Sequence, residues 1–253
     1  MVFLLFLNKK YTNMPTRLQT LCTENMLRNV LPPRRTTTYT PVDNNLIFDK
    51  LHEQLDKYGL VVKQSDLTMS PNGKRFIGLF DIESNDIELG YRIGFKNSYD
   101  GSMAFGMGIG SVVWLCSNGM VHGELTERRI HRGNADSDVE EMIKRGLDEY
   151  QERHDENLRT RENLKTIYCD TDEICKIVGK LCIDNVLNGN ELNRLKKEIT
   201  SSKLFINTTE SPDGIMAWDL YNHVTETLKQ ASFNTYFEKH NNAHKIFIDE
   251  FKL

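Results

Sequence analysis

Paired cysteines are missing from this chain. Its five cysteines, Cys22, Cys116, Cys169, Cys175 and Cys182, form no Cys-x-x-Cys pair and are odd in number. A zinc ribbon needs paired ligands at short spacing and is excluded. Long apolar runs are also missing from the N-terminus. Val2–Leu7 is six apolar residues, too few to span a bilayer. Lys9 and Lys10 follow that run, whereas a signal peptide carries its positive charge in front. The expectation is a cytoplasmic protein with reduced thiols and no membrane partner. A strong charge of one sign is lacking too. The net charge of −4 implies no general attraction to nucleic acid or to an acidic membrane. Any such contact needs a local basic patch. Gly106, Gly108 and Gly110 lack the spacing of a dinucleotide fingerprint, and no helix follows them. No metal-ligand set stands out, and no cofactor is expected.

What is present is ordinary folding material. Hydrophobic residues make up 39% of the 253 and charged residues 27%, enough for a real core. Met14-Pro15-Thr16 reads as an alternative translation start, which would leave residues 1–13 outside the native protein. Residues 1–35 hold six cations against the single acid Glu24. They read either as a solvated arm or as an arm that touches phosphates. We divide the chain into a basic N-terminal arm and linker, 1–42, and one α+β domain, 43–253. Pro32, Pro33 and the Thr36–Thr40 run suggest a linker leading into a strand.

The spacing of Leu46, Ile47, Leu51, Leu55 and Tyr58 predicts a helix over 43–59, capped by Asp43 or Asn44 and ended by Gly59. Strands follow from Leu60 onward. Ser70-Pro71-Asn72-Gly73 marks a turn, and Asn97-Ser98-Tyr99-Asp100-Gly101-Ser102 marks the tip of a long hairpin. The three alternating glycines share one face of the hairpin's second strand, leaving it bare enough for a backbone, a ring or a ligand. Beyond residue 133 the pattern turns helical. Ser137-x-x-Glu140 reads as a capping box opening a long solvated helix. Further helices are predicted at 172–187, 191–201 and 215–230, and the tail 245–251 is a short apolar segment. The fold expected is α+β: an antiparallel sheet over about 60–123, covered by N-terminal and C-terminal helices, with the helical part at about 137–230.

Several groups could carry a function. Arg92, Lys96 and Tyr99, with Tyr91, place cations beside aromatics on the hairpin, and Arg128, Arg129 and Arg132 form the densest basic cluster. That combination is what single-stranded nucleic acid uses. Alternation along a half-exposed strand, or arginines paired with nearby acids, would produce the same pattern. Cys116 reads as a buried inert thiol. A nucleophile beside Asp100 and Asn118 is the sharper alternative. Trp218, Tyr221, Asn222, Thr225 and Glu226 share one helix face, either as core or as a binding face.

Two of these motifs together carry a resemblance. Asn97-Ser98-x-Asp100-Gly101-Ser102, followed by an apolar strand into Val113-x-x-Cys116-x-Asn118, is one. Trp218-x-x-Tyr221-Asn222-x-x-Thr225-Glu226 is the other. In order and spacing the chain resembles domain of unknown function 932, over roughly residues 40–235. The resemblance implies a phage or plasmid origin and brings no established reaction. Members carry an arginine ahead of the cysteine and a threonine after the asparagine, where this chain has apolar or small residues and Gly119. The expectation is a non-enzymatic phage- or plasmid-type protein, binding single-stranded nucleic acid as a homo-oligomer. The alternative is an oligomeric structural or host-takeover protein that binds none.

Overall fold

The computed structural model describes residues 20–86, 88–113, 118–120, 127–129, 135–201, 214–229, 231–232 and 235–253. The fold is α+β, with eight helices and two antiparallel sheets among these residues. None of those helices is long and apolar enough to cross a membrane.

Four long strands form the centre of the larger sheet. They are β2 (Val62–Met69), β3 (Arg75–Ile82), β4 (Leu89–Ser98) and β5 (Phe105–Val113), each antiparallel to the next. Short strands flank them: β1 (Thr20–Leu21) beside β2, with β6 (Asn118–Met120) and β7 (Glu127–Arg129) both pairing with β5. Turn chemistry sets the registers. Ser70 N–H donates to the Arg75 carbonyl at 2.8 Å and Gly73 sits at φ +69°, so β2 folds back onto β3.

The sheet has two different faces. Alternate residues Leu67, Phe76, Phe80, Ile82, Ile93, Phe95, Met107 and Ile109 make one apolar face. Helices α2 (Asn44–Lys57) and α3 (Ala135–Asp148) cover it, burying Ile47, Phe48, Leu51, Val139, Ile143 and Leu147. At about 25 cal/mol per Å² this burial is the main stabilising term of that layer. The opposite face carries Asp81, Arg92, Lys96, Gly94 and the β5 glycines. There Phe237 lies over the sheet. A Cβ on Gly94 would come within 2.4 Å of its ring, so an aromatic ring occupies the space the glycine leaves open.

The remaining helices make a second core. They are α4 (Tyr150–Thr166), α5 (Thr171–Ile183), α6 (Gly189–Ser201), α7 (Ala217–Leu228) and α8 (Tyr236–Phe251). Asp170 and Glu173 form a capping box at the start of α5. A small sheet of β8 (Tyr168–Asp170) and β9 (Gly214–Met216) ties α4 to α7.

Several boundaries differ from the sequence expectation. The long helix from Ser137 is two helices, broken at Glu149, and the first begins at Ala135, so Ser137 lies inside its first turn. Residues 215–216, expected to open a helix, are strand, because Gly214–Met216 pairs with β8. The 245–251 tail is the end of the 16-residue α8. Thr36–Thr40 is irregular and precedes a helix, because the Thr36 N–H donates to the Tyr39 carbonyl at 2.9 Å and the Thr36 hydroxyl accepts from the Tyr39 N–H at 3.1 Å, closing a turn. Part of the expected arm is packed: α1 (Glu24–Arg28) sends Leu27 wholly into the core, and Arg28 pairs with Glu24 and Asp49.

Burial of histidine in α8 sets an acid limit. Burial pushes the His244 imidazole down from 6.5 to about 3. The unfolded chain therefore binds a proton below pH 6.5 that the folded chain refuses. Stability is full above that value and falls as pH drops toward 3. The expected loss from this group is about 2 kcal/mol at about pH 5. Urea unfolding of His244→Phe should show a flatter pH dependence over that range than the parent.

Candidate binding cleft

Local hydrogen bonds hold the hairpin tip. Ser98 Oγ donates to the Met103 carbonyl at 2.8 Å and accepts from the Met103 N–H at 3.0 Å. Asp100 accepts from the Ser102 N–H at 3.0 Å, and Gly101 takes φ +71°. Behind the turn, Asn97 is fully buried, and its amide donates to the Val42 carbonyl (2.9 Å) and to Asn44 Oδ1 (3.0 Å). The Tyr99 hydroxyl accepts from the Asn44 N–H at 2.9 Å, and burial raises its pKa. Asn97 and Tyr99 thus fasten the hairpin to the start of α2, and Ser98 closes the turn itself.

The cations expected on the hairpin are internal. Arg92 is 4% exposed and grips Asp81 with two hydrogen bonds, Nε to Oδ1 at 2.5 Å and the second at 2.8 Å. Lys96 is 9% exposed, and its ammonium stands 5.9 Å from the Phe237 ring centre. Neither they nor Tyr99 lies on an open surface. The reason is that helices cover both faces of β4, which an alternating sequence does not reveal. Arg128 and Arg129 lie in β7, opposite Gly106 and Phe105. Asn118 opens β6 and pairs with Val113. Cys116 and Arg132 lie outside the described residues.

The second motif is mostly core. Trp218 and Tyr221 stack at 5.8 Å with 4° between their planes, and Tyr221 meets Phe247 edge-on at 5.0 Å. Asn222 donates back to the Trp218 carbonyl, the Thr225 hydroxyl to the Asn222 carbonyl, and Glu226 pairs with Lys229. The two motifs stand on different elements of the fold, the first beside α2 and the second in the helical core.

An open cleft of about 610 Å³ lies elsewhere, and no single segment pointed to it. Leu60 precedes β2 and Lys63 lies at its start, Glu83–Asp86 come from the β3–β4 loop, Tyr91 from β4, and Tyr150, Gln151, His154, Asp155 and Leu158 from α4. Tyr91 is its hub. Its ring lies 5.1 Å from Tyr150 and 3.8 Å from His154, and its hydroxyl donates to Gln151 Oε1 at 3.2 Å. Gln151 in turn donates to Asp155 Oδ1 at 3.1 Å. His154 is 4% exposed, and its Nδ1 is buried without a hydrogen-bond partner. Burial lowers its pKa, so it stands neutral near pH 7. Burial also raises the Tyr91 phenol, with Tyr150 and Asp155 adding to the effect. Asp86 is committed. Arg161 holds both its oxygens (2.7 and 3.1 Å), and the Glu88 and Leu89 N–H groups bond it as well. α4 sits here because Asn157 donates to the buried Ser111 hydroxyl of β5 at 2.8 Å and Arg161 anchors the loop.

A family model described as a domain of unknown function (DUF932) matches residues 34–245. The chain belongs to that family. Comparison with curated proteins and with solved structures gave no match. The DUF932 match takes in the hairpin tip, α7 and the whole cleft, and leaves out β1 and α1. Among the described motif residues, Asn97 and Ser98 hold the hairpin end and Trp218 and Tyr221 pack in the helical core. The cleft offers aromatic faces, carboxylates and a neutral imidazole, a set suited to holding a guest.

Proposed function

We propose that this protein is a non-enzymatic interaction protein whose cleft between the β3–β4 loop and α4 takes up part of a partner. The observation that carries this reading is the aromatic wall of Tyr91, Tyr150 and His154 beside carboxylates that other groups do not saturate. A volume of about 610 Å³ suits a side chain or a small molecule. In this reading the polar turn at 97–102 is scaffold, and the protein works in the cytoplasm, that of a host cell if a mobile element encodes it. Hydrogen exchange of the full chain, with nucleotides, sugars, carboxylates and amines added in turn, tests it. The expected result is slowed exchange at residues 150–158 with one class. Unchanged exchange there with every class would remove the reading.

A second reading keeps single-stranded nucleic acid as the partner of a homo-oligomer. Arg128 and Arg129 follow each other in the short strand β7, and Arg34 and Arg35 are exposed. Phosphate contacts weaken steeply with salt, so binding to a fluorescent single strand should be strongest at low salt. A flat signal at low salt rules that partner out.

A further inference from the structure

The cleft's charges and rings select one class of guest. Four formally charged side chains line it: Glu83, Asp86, Asp155 and Lys63. Asp86 is spent on Arg161 and on two backbone N–H groups. Asp155 gives one oxygen to Gln151 and keeps lone pairs for another donor. Glu83 is exposed at the rim, joined to the fold through its backbone N–H, which donates to the Val61 carbonyl. Two carboxylates thus face one ammonium, and neutral His154 adds no positive charge. An anion would meet net repulsion here. The rings favour the opposite charge, because the faces of Tyr91 and Tyr150 are the negative parts of their quadrupoles. The buried His154 Nδ1 is a polar atom that the protein leaves unsatisfied, and such atoms are uncommon in folded proteins. As the Nε2–H tautomer its Nδ1 is an acceptor.

Resting on the binding reading above, we propose that the cleft holds an organic cation, an alkylammonium or a guanidinium, with Asp155 and Glu83 as its carboxylates and Tyr91 and Tyr150 against its alkyl or planar part. The same chemistry is offered by a free polyamine and by a lysine or arginine side chain of a partner protein. The cleft's mix of exposed acids and aromatic rings fits both.

The test is isothermal titration of the full chain at low ionic strength with putrescine, spermidine, N-acetyl-arginine amide and N-acetyl-lysine amide. Saturable binding of at least one is expected, weakened about tenfold by Asp155→Asn and again by adding Glu83→Gln. Both replaced residues are at least partly exposed, so these variants should fold. Tyr150→Leu should weaken binding while keeping the apolar bulk. Added salt should lower affinity throughout. Binding of polyamines alone assigns a free small molecule; binding of the capped amino acids assigns a partner's side chain, and either supports the proposal. Cation binding unchanged in the double carboxylate variant overturns it. So does silence from all four cations. If another probe class still slows exchange at residues 150–158, the cation assignment fails and the cleft reading stands. If no class does, both fail.

Discussion

Arg92→Met is expected to lower the unfolding free energy by about 3–5 kcal/mol, because it leaves the Asp81 carboxylate buried and unpaired. The two side chains are only 4% and 6% exposed and pair across β3 and β4 in register. Tyr236, at the start of α8, is fully enclosed beside them, so the pair sits where the sheet meets that helix. Taking two charges out of water is costly, and their mutual attraction offsets it only while both are present. Removing one partner is therefore the damaging change. Replacing both, as Asp81→Leu with Arg92→Met, should restore most of the stability, since an apolar pair of similar volume avoids the desolvation cost. Urea denaturation of the two single variants and the double variant measures this as a cycle. A loss below about 1 kcal/mol for Arg92→Met would show that water reaches the pair. It would also reopen Arg92 as a surface cation.

That outcome bears on how the sequence reads. The turn at 97–102 was legible because Asn, Asp and Gly act locally: Asp100 bonds the Ser102 N–H and Gly101 supplies positive φ. The helix at 44–57 was legible because one face repeats apolar residues and Asp43 caps it. The fate of Arg92 and Lys96 was not. A cation on alternate strand positions looks the same whether the outer face meets water or a helix. Here Tyr236 and Phe237 of α8 close over it. α8 itself was missed because His240, Asn241, Asn242 and His244 interrupt its apolar stripe. The cleft was illegible for a further reason: α4 buries His154, Asn157, Thr160 and Arg161 beside Leu164, so most of its inner face is polar. A helix docked by hydrogen bonds leaves no periodic apolar signal. Tyr91 and His154 are 63 residues apart in the chain, and only the fold brings their rings together.

Tyr221→Ala carries the other large effect, an expected loss of about 3–5 kcal/mol. Tyr221 is 1% exposed and is among the largest side chains wholly enclosed by the fold. It stacks on Trp218 within α7 and meets Phe247 and His244 of α8 edge-on, so one ring joins two helices. Truncation removes those contacts and leaves a cavity that surrounding helices fill only in part. Tyr221→Phe keeps the ring and should cost no more than about 1 kcal/mol, the net worth of a typical hydrogen bond. The pair of variants separates the two meanings of the Trp218-x-x-Tyr221 motif. If the motif is packing, Tyr221→Ala lowers the melting temperature strongly, while the folded fraction keeps the parent's cleft binding. If the motif is a binding face, Tyr221→Ala abolishes partner binding with little change in melting temperature. The burial of Tyr221 and the 4° stacking angle with Trp218 favour packing. On that account Trp218 and Tyr221 hold α7 against α8, in the same core that receives Leu164 of α4.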